Sequence, residues 1–288
     1  MRRAIGLPTV GEFGDVRALL DLAVAAEQHG WDGVQLWDHV LYHEPGWAVT
    51  SSTVAAAAIA AATQRLRIIL TVVLPRRQVQ DVARDTAAID ALCGGRLILV
   101  PAIGSMDSEY SEFGLDPDLR ARGRALDERL ARLLELWRRW DVPPVPIWCA
   151  GRWPNTAGLR RAARYDGAMP TFAGLPSQNV PVEEFARAVS FVRGLATGPA
   201  ENASANPSAD PSADPFEIAF EGASAAATAA AQVAPYAAAG ATWWIEAFGW
   251  WRGGVAEARA RIAAGPPPVT AQGNEFGTNT SPAERTSS

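Results

Sequence analysis

Residues 66–103 read LRIILTVVLPRRQVQDVARDTAAIDALCGGRLILVPAI. An apolar, β-branched run over Leu66–Val73 leads into a helical stretch at 79–92, and a second apolar run follows over Arg96–Ile103. Short run, longer helix, short run is the order of a parallel βα unit. Outward from this segment the same alternation covers most of the chain. Further runs at Arg3–Pro8, Trp31–Asp38, Pro146–Gly151, Asp166–Thr171, Phe216–Glu221 and Thr242–Phe248 bring the set to eight. The remaining helical stretches are expected at about 15–29, 52–63, 121–140, 155–164, 182–194, 224–239 and 254–263. Eight such units with no long strand-only section favour a closed (β/α)8 barrel; an open doubly wound sheet is the alternative.

The first helix carries the pattern most clearly. Val16, Leu19, Leu20, Ala23 and Ala26 recur at spacings of three and four, with Asp15 placed to cap the helix and Gly30 to stop it. Along a strand, successive side chains point to opposite faces, so Trp243 and Trp244 are expected to divide between barrel interior and helices.

The chain has 288 residues, which suits one barrel domain at residues 1–265. Residues 196–215, ATGPAENASANPSADPSADP, are too poor in apolar surface to offset ordering entropy and are expected to form a flexible insertion. The tail at 266–288 is expected to be disordered for the same reason. Hydrophobic residues make up 48% and charged residues 20%, an ordinary globular composition with material for a core.

Several function classes fall away on composition. The net charge of -5, from 31 acidic and 26 basic residues with no basic block, gives no footprint for nucleic acid. All 26 basic residues are arginine, so Schiff-base, pyridoxal-phosphate and Walker-lysine chemistry are excluded for want of a primary amine. The three histidines, His29, His39 and His43, stand within fifteen residues of each other, so no metal site built from histidines of several strands is available. Cys93 and Cys149 form no metal or redox motif, and no apolar leader or membrane span is visible, so a cytoplasmic protein is expected.

In a barrel of this kind chemistry gathers at the carboxyl ends of the strands. The second strand ends in Trp37, Asp38 and His39. His39 can donate to, or exchange a proton with, a ligand near neutral pH, and Asp38 beside it can influence its protonation; the bland alternative is a histidine bonding its own loop. His43 reads as a rim residue and His29 as a helix-end residue favoured by the dipole. The fifth strand ends in Gly151 and Arg152, followed by Pro154 at a new helix start, where an anion can sit; an ordinary turn with a surface arginine is the competing reading. Arg76 and Arg77, adjacent in a loop, read as solvated.

The segments AAEQHGWDGVQLWDHVLYHEP, TVVLPRRQVQDVARDTAAIDALCGGRLILV, PIWCAGRWPNTAGLRRAARYDGAMP and AGATWWIEAFGWWRGG together resemble the bacterial luciferase-like monooxygenase family over about residues 3–265. The resemblance implies a (β/α)8 barrel that uses FMN or the 5-deazaflavin coenzyme F(420), and the sequence is most similar to the actinobacterial deazaflavin branch. It places His39 beside the cofactor ring with Asp38 and Trp37 adjoining. It places Leu70 and Thr71 at a bulge with a nonprolyl cis peptide behind the ring, and Gly104, Gly151 and Arg152 at cofactor contacts. Ile103 stands where luciferase presents an arginine to FMN phosphate. The expected activity is hydride transfer between the deazaflavin and a small organic substrate. The alternatives are an FMN-dependent monooxygenase supplied by a flavin reductase, or a flavin-binding barrel without turnover. A homodimer is also implied.

Overall fold

Strand β1 (Arg2–Leu7) pairs in parallel with β2 (Gly33–Leu36) on one side and β8 (Trp243–Ala247) on the other. The computed structural model describes residues 1–174, 179–196 and 216–268. From β2 the sheet continues through β3 (Arg67–Val73) to β4 (Leu97–Ala102), and from β8 through β7 (Glu217–Gly222) and β6 (Gly167–Thr171) to β5 (Trp148–Arg152). A single parallel bridge, Leu99 with Ile147, joins the two ends; there the Leu99 N–H donates to the Pro146 carbonyl at 2.9 Å. The eight parallel strands therefore form a nearly closed barrel, as the alternation predicts.

Helices α1 (Val16–Gln28), α2 (Ser52–Ala62), α3 (Val79–Cys93), α5 (Leu119–Arg139), α6 (Ala157–Ala162), α7 (Val182–Ala196), α8 (Ala229–Ala238) and α9 (Val255–Ala263) follow the strands in turn. A single-turn helix, α4 (Ser108–Ser111), lies between β4 and α5. The helix ends have local causes. Asp15, Ser51 and Asp118 side chains accept from the backbone N–H groups of Arg17, Val54 and Ala121, and Gly94 ends α3 at φ +64°. Gly30, expected to stop α1, follows its cap at φ +83°. The expected insertion at 196–215 and the tail from 266 lie outside the described residues, except Ala196, which ends α7, and residues 266–268.

Two apolar layers form. The outer one packs helices on strands, and the inner one fills the barrel with Ala4, Ile69, Ile98, Val100, Trp148, Met169, Ala219, Trp243 and Ile245. Trp243 faces inward and Trp244 outward, following the two-residue period. Trp148 and Trp243 meet edge to face with centroids 5.5 Å apart, both fully buried. Burying an indole of roughly 150–250 Å² contributes on the order of 4–6 kcal/mol before entropy, so these two rings plug the barrel floor. The site is left at the opposite end, where the interior residues become polar.

Candidate active site

Past the end of β2 the chain turns into a loop, and three successive residues there take different directions. Asp38 is buried and engaged on every side: one carboxylate oxygen accepts from Ser52 Oγ at 3.1 Å, the other from the Val73 N–H at 2.7 Å. Arg76 and Arg77 approach it at 3.5 and 3.7 Å. Asp38 thus ties β2 to α2 and to the end of β3.

The carboxylate that meets His39 is Glu109, from α4. Its Oε1 lies 3.1 Å from His39 Nδ1, accepts from the Val40 N–H at 2.8 Å and stands 2.7 Å from Arg76 Nη1. Burial pushes the Glu109 carboxyl up, but the His39 and Val40 hydrogen bonds and the Arg76 charge outweigh it and hold the group below the usual carboxylate range. Sequence adjacency had pointed to Asp38 as the partner of His39. In the structure His39 meets Glu109 instead, and the Asp38 oxygens are taken up by Ser52 of α2 and by Val73, Arg76 and Arg77 at the β3 end. The structure also corrects the reading of Arg76, whose side chain is 4% exposed and bridges Asp38 and Glu109. Gly104 turns the chain from β4 toward α4 at φ +75°, a conformation side chains resist, and Arg122 locks α4 by stacking 3.9 Å from the Tyr110 ring.

The second polar centre lies inside the mouth. Gln35 Nε2 donates to Thr71 Oγ1 at 3.3 Å, while its Oε1, buried, has no partner among the described residues. Glu221, on the inner face of β7, accepts one bond, from Trp37 Nε1 at 3.2 Å. A Cβ on Gly6 would stand 3.1 Å from Gln35 Oε1 and 3.3 Å from Glu221 Oε1, so glycine there keeps the space between the two oxygens open. Burial raises the Glu221 carboxyl to about 7, against the lowering effect of the Trp37 bond. Neither Glu109 nor Glu221 was singled out from the sequence. An acid at a strand's carboxyl end, Glu221 at the close of FEIAFE, was the available signal.

Trp37 links the centres. Its ring stands edge-on to His39 at 5.9 Å and stacks on Trp251 at 5.7 Å. Trp251 comes from the loop after β8, which Arg252 anchors by donating to Glu246 Oε1 at 2.7 Å and to the Ser224 carbonyl at 2.9 Å. Tyr42 packs edge-on against His39 at 4.9 Å and against His43 and Trp250, and two recesses of about 400 and 630 Å³ flank this loop.

The other expected site residues fall elsewhere. Leu70 is fully buried toward the helices, so only its backbone can reach a ligand. The one cis peptide among the described residues is Trp153–Pro154; Leu70 and Thr71 continue a regular ladder opposite Leu99 and Val100, so the expected cis bond behind a ring is absent there. Gly151 packs against α6: a Cβ would meet the Leu159 nitrogen at 2.6 Å. That helix is six residues long and offers little dipole. Arg152 is exposed at the end of β5, with no hydrogen-bond or ion-pair partner among the described residues.

A parallel barrel with its polar and ionisable side chains gathered at the strand ends is the architecture of one enzyme superfold, and comparison narrows it. The chain belongs to the luciferase-like monooxygenase family, which matches residues 3–274. It is 29% identical over 187 residues to an F(420)-dependent glucose-6-phosphate dehydrogenase of Gordonia bronchialis, covering 57% of this chain and 54% of the relative. It is 35% identical over 181 residues to 4-hydroxyprotoasukamycin monooxygenase of Streptomyces nodosus subsp. asukaensis, covering 54% of this chain and 47% of the relative. The chain spans about half the length of these curated relatives. The coenzyme F(420)-dependent tetrahydromethanopterin reductase of Methanopyrus kandleri shares its fold, with a TM-score of 0.67, 12% identity and coverage of 92% of this chain and 96% of that one. No helix among the described residues is long and apolar enough to cross a membrane.

Proposed function

We infer that this chain is an oxidoreductase that transfers a hydride between coenzyme F(420), a 5-deazaflavin, and a small organic substrate. The observation that carries the reading is the His39–Glu109–Arg76 cluster at the barrel mouth, a histidine held by a buried carboxylate where it can polarise or protonate a reacting group. The names of the relatives support the deazaflavin, and Ile103, packed on the outer apolar layer where an FMN-phosphate arginine is expected, supports it over FMN.

The residues fit such a group. The buried Gln35 Oε1, Glu109 Oε2 and Trp251 Nε1 have no hydrogen-bond partner among the described residues, and Gly6 leaves room beside the first. Trp37, Thr71, Gly104 and the Leu70 backbone would hold the ring, and the Gly151–Arg152 turn would meet the phosphate-bearing chain. When bound, the deazaflavin supplies a ring carbon that accepts or gives a hydride. The protein's part is the rest. Glu109 fixes the His39 ring by its Nδ1 and leaves Nε2 as the atom that moves a proton; Asp38 positions the strand ends; the Trp251 loop limits water at the mouth.

A fluorescence titration with coenzyme F(420) and FMN side by side tests the reading, and tighter FMN binding would overturn it. The second reading, an FMN-dependent monooxygenase fed by a flavin reductase, rests on the likeness to 4-hydroxyprotoasukamycin monooxygenase. It requires oxygen consumption with reduced FMN, which the first reading excludes.

A further inference from the structure

Two glutamates on neighbouring strands, Glu246 fully buried and Glu221 partly buried, are treated in opposite ways. Glu246 on β8 is saturated: Ser224 donates from its N–H and its hydroxyl, Trp244 from its indole, and Arg252 and Arg261 from their guanidinium groups. Among the described residues Glu221 has one donor, the Trp37 indole, and no cation. A carboxylate taken from water with one neutral donor is poorly compensated, whereas a neutral carboxylic acid there is not.

The acceptor beside it points the same way. Gln35, 3% exposed, directs an unpartnered Oε1 toward the gap that Gly6 leaves, and Glu221 Oε1 borders that same gap. Two acceptor oxygens around one small space call for a proton between or in front of them. Around Glu221 stand Gly6 from β1, Gln35 and Trp37 from β2 and its loop, and Ile245 from β8, none of which titrates, and among the described residues no cationic side chain forms an ion pair with it.

We propose that Glu221, backed by Gln35, is the hydrogen-bond donor of the mouth to the bound deazaflavin ring, serving as a neutral carboxylic acid and costing the site its cofactor affinity once ionised. The inference rests on the cofactor reading above. The proton stays on Glu221 in the complex, shared with a ring acceptor atom; when hydroxide removes it in free protein, the mouth holds two bare acceptors and an uncompensated negative charge.

The test is the dissociation constant of coenzyme F(420) as a function of pH, in wild type and in Glu221→Gln, with carbon NMR of carboxyl-labelled glutamate on the same samples. In wild type the constant rises about tenfold per pH unit above the titration midpoint, while the amide variant, neutral at every pH, keeps its affinity. One glutamate resonance titrates near neutrality and is missing from the variant. Trp37→Phe, which removes the indole hydrogen bond favouring the ionised form, moves that midpoint upward. Parallel pH dependence in wild type and Glu221→Gln, or a Glu221 resonance titrating in the ordinary carboxylate range, overturns the inference alone. Absence of coenzyme binding at every pH overturns the cofactor reading and this inference with it.

Discussion

Glu109 Oε1 lies 3.1 Å from His39 Nδ1 although the two residues are 70 positions apart, while Asp38, next to His39 in the chain, does not bond it. The pair joins the loop after β2 to the short helix after β4, and Arg76 from the β3 end closes the cluster. Groups coupled this closely act as a unit. Glu109→Gln and His39→Ala should each lower turnover by about 10², and the double variant should lose little more than either. Steady-state kinetics on the three proteins check this; fully additive losses would separate the two residues.

Asp38→Asn should act on stability. The carboxylate is buried and holds a backbone N–H, a serine hydroxyl and two arginines, so its loss should cost about 3 kcal/mol, the scale for breaking a buried charged cluster. Urea unfolding measures it. Unchanged stability with lowered turnover would return Asp38 to the chemistry, as the sequence had suggested.

Glu221 and Glu109 pull the pH dependence of stability in opposite directions. Glu221 is raised from 4.5 to about 7, so between those values the folded state keeps a proton that the unfolded state has lost. Its contribution is full below 4.5 and is lost as pH rises through 7, by roughly 2–3 kcal/mol after allowance for screening. Glu109 is lowered, so its contribution is full above the unfolded value of 4.5 and is lost as pH falls through the folded one. Unfolding midpoints from pH 4 to 8 should therefore decline toward the alkaline side in wild type, and the decline should vanish in Glu221→Gln.

Arg152→Ala and Gly151→Ala separate binding from packing at neighbouring positions. Arg152 is exposed and without a described partner, so its removal should leave stability within about 0.5 kcal/mol while weakening coenzyme binding by about 1.5–3 kcal/mol if it meets the phosphate. A Cβ at Gly151 would press on the Leu159 nitrogen at 2.6 Å, forcing α6 off β5 at a cost of about 1–3 kcal/mol. Thermal melts and coenzyme titrations on both variants check the pair.

The barrel was legible because its determinants are local. Period-two and period-3.6 patterns, as in Trp243–Trp244 and in Val16 to Ala26, follow from backbone geometry and need no knowledge of distant residues. His39 was legible too, since a strand end is a position in sequence as well as in space. Glu109 and Glu221 were not, because each becomes notable only through what closure of the barrel sets beside it. Glu109 turns inward through Gly104 and the Arg122 lock, and Glu221 meets Trp37 across β8 and β1 with no cation paired to it among the described residues. The same packing spends Asp38 on Ser52 and on the end of β3. Desolvation and partner count decide what a carboxyl does, and both are properties of the packed interior.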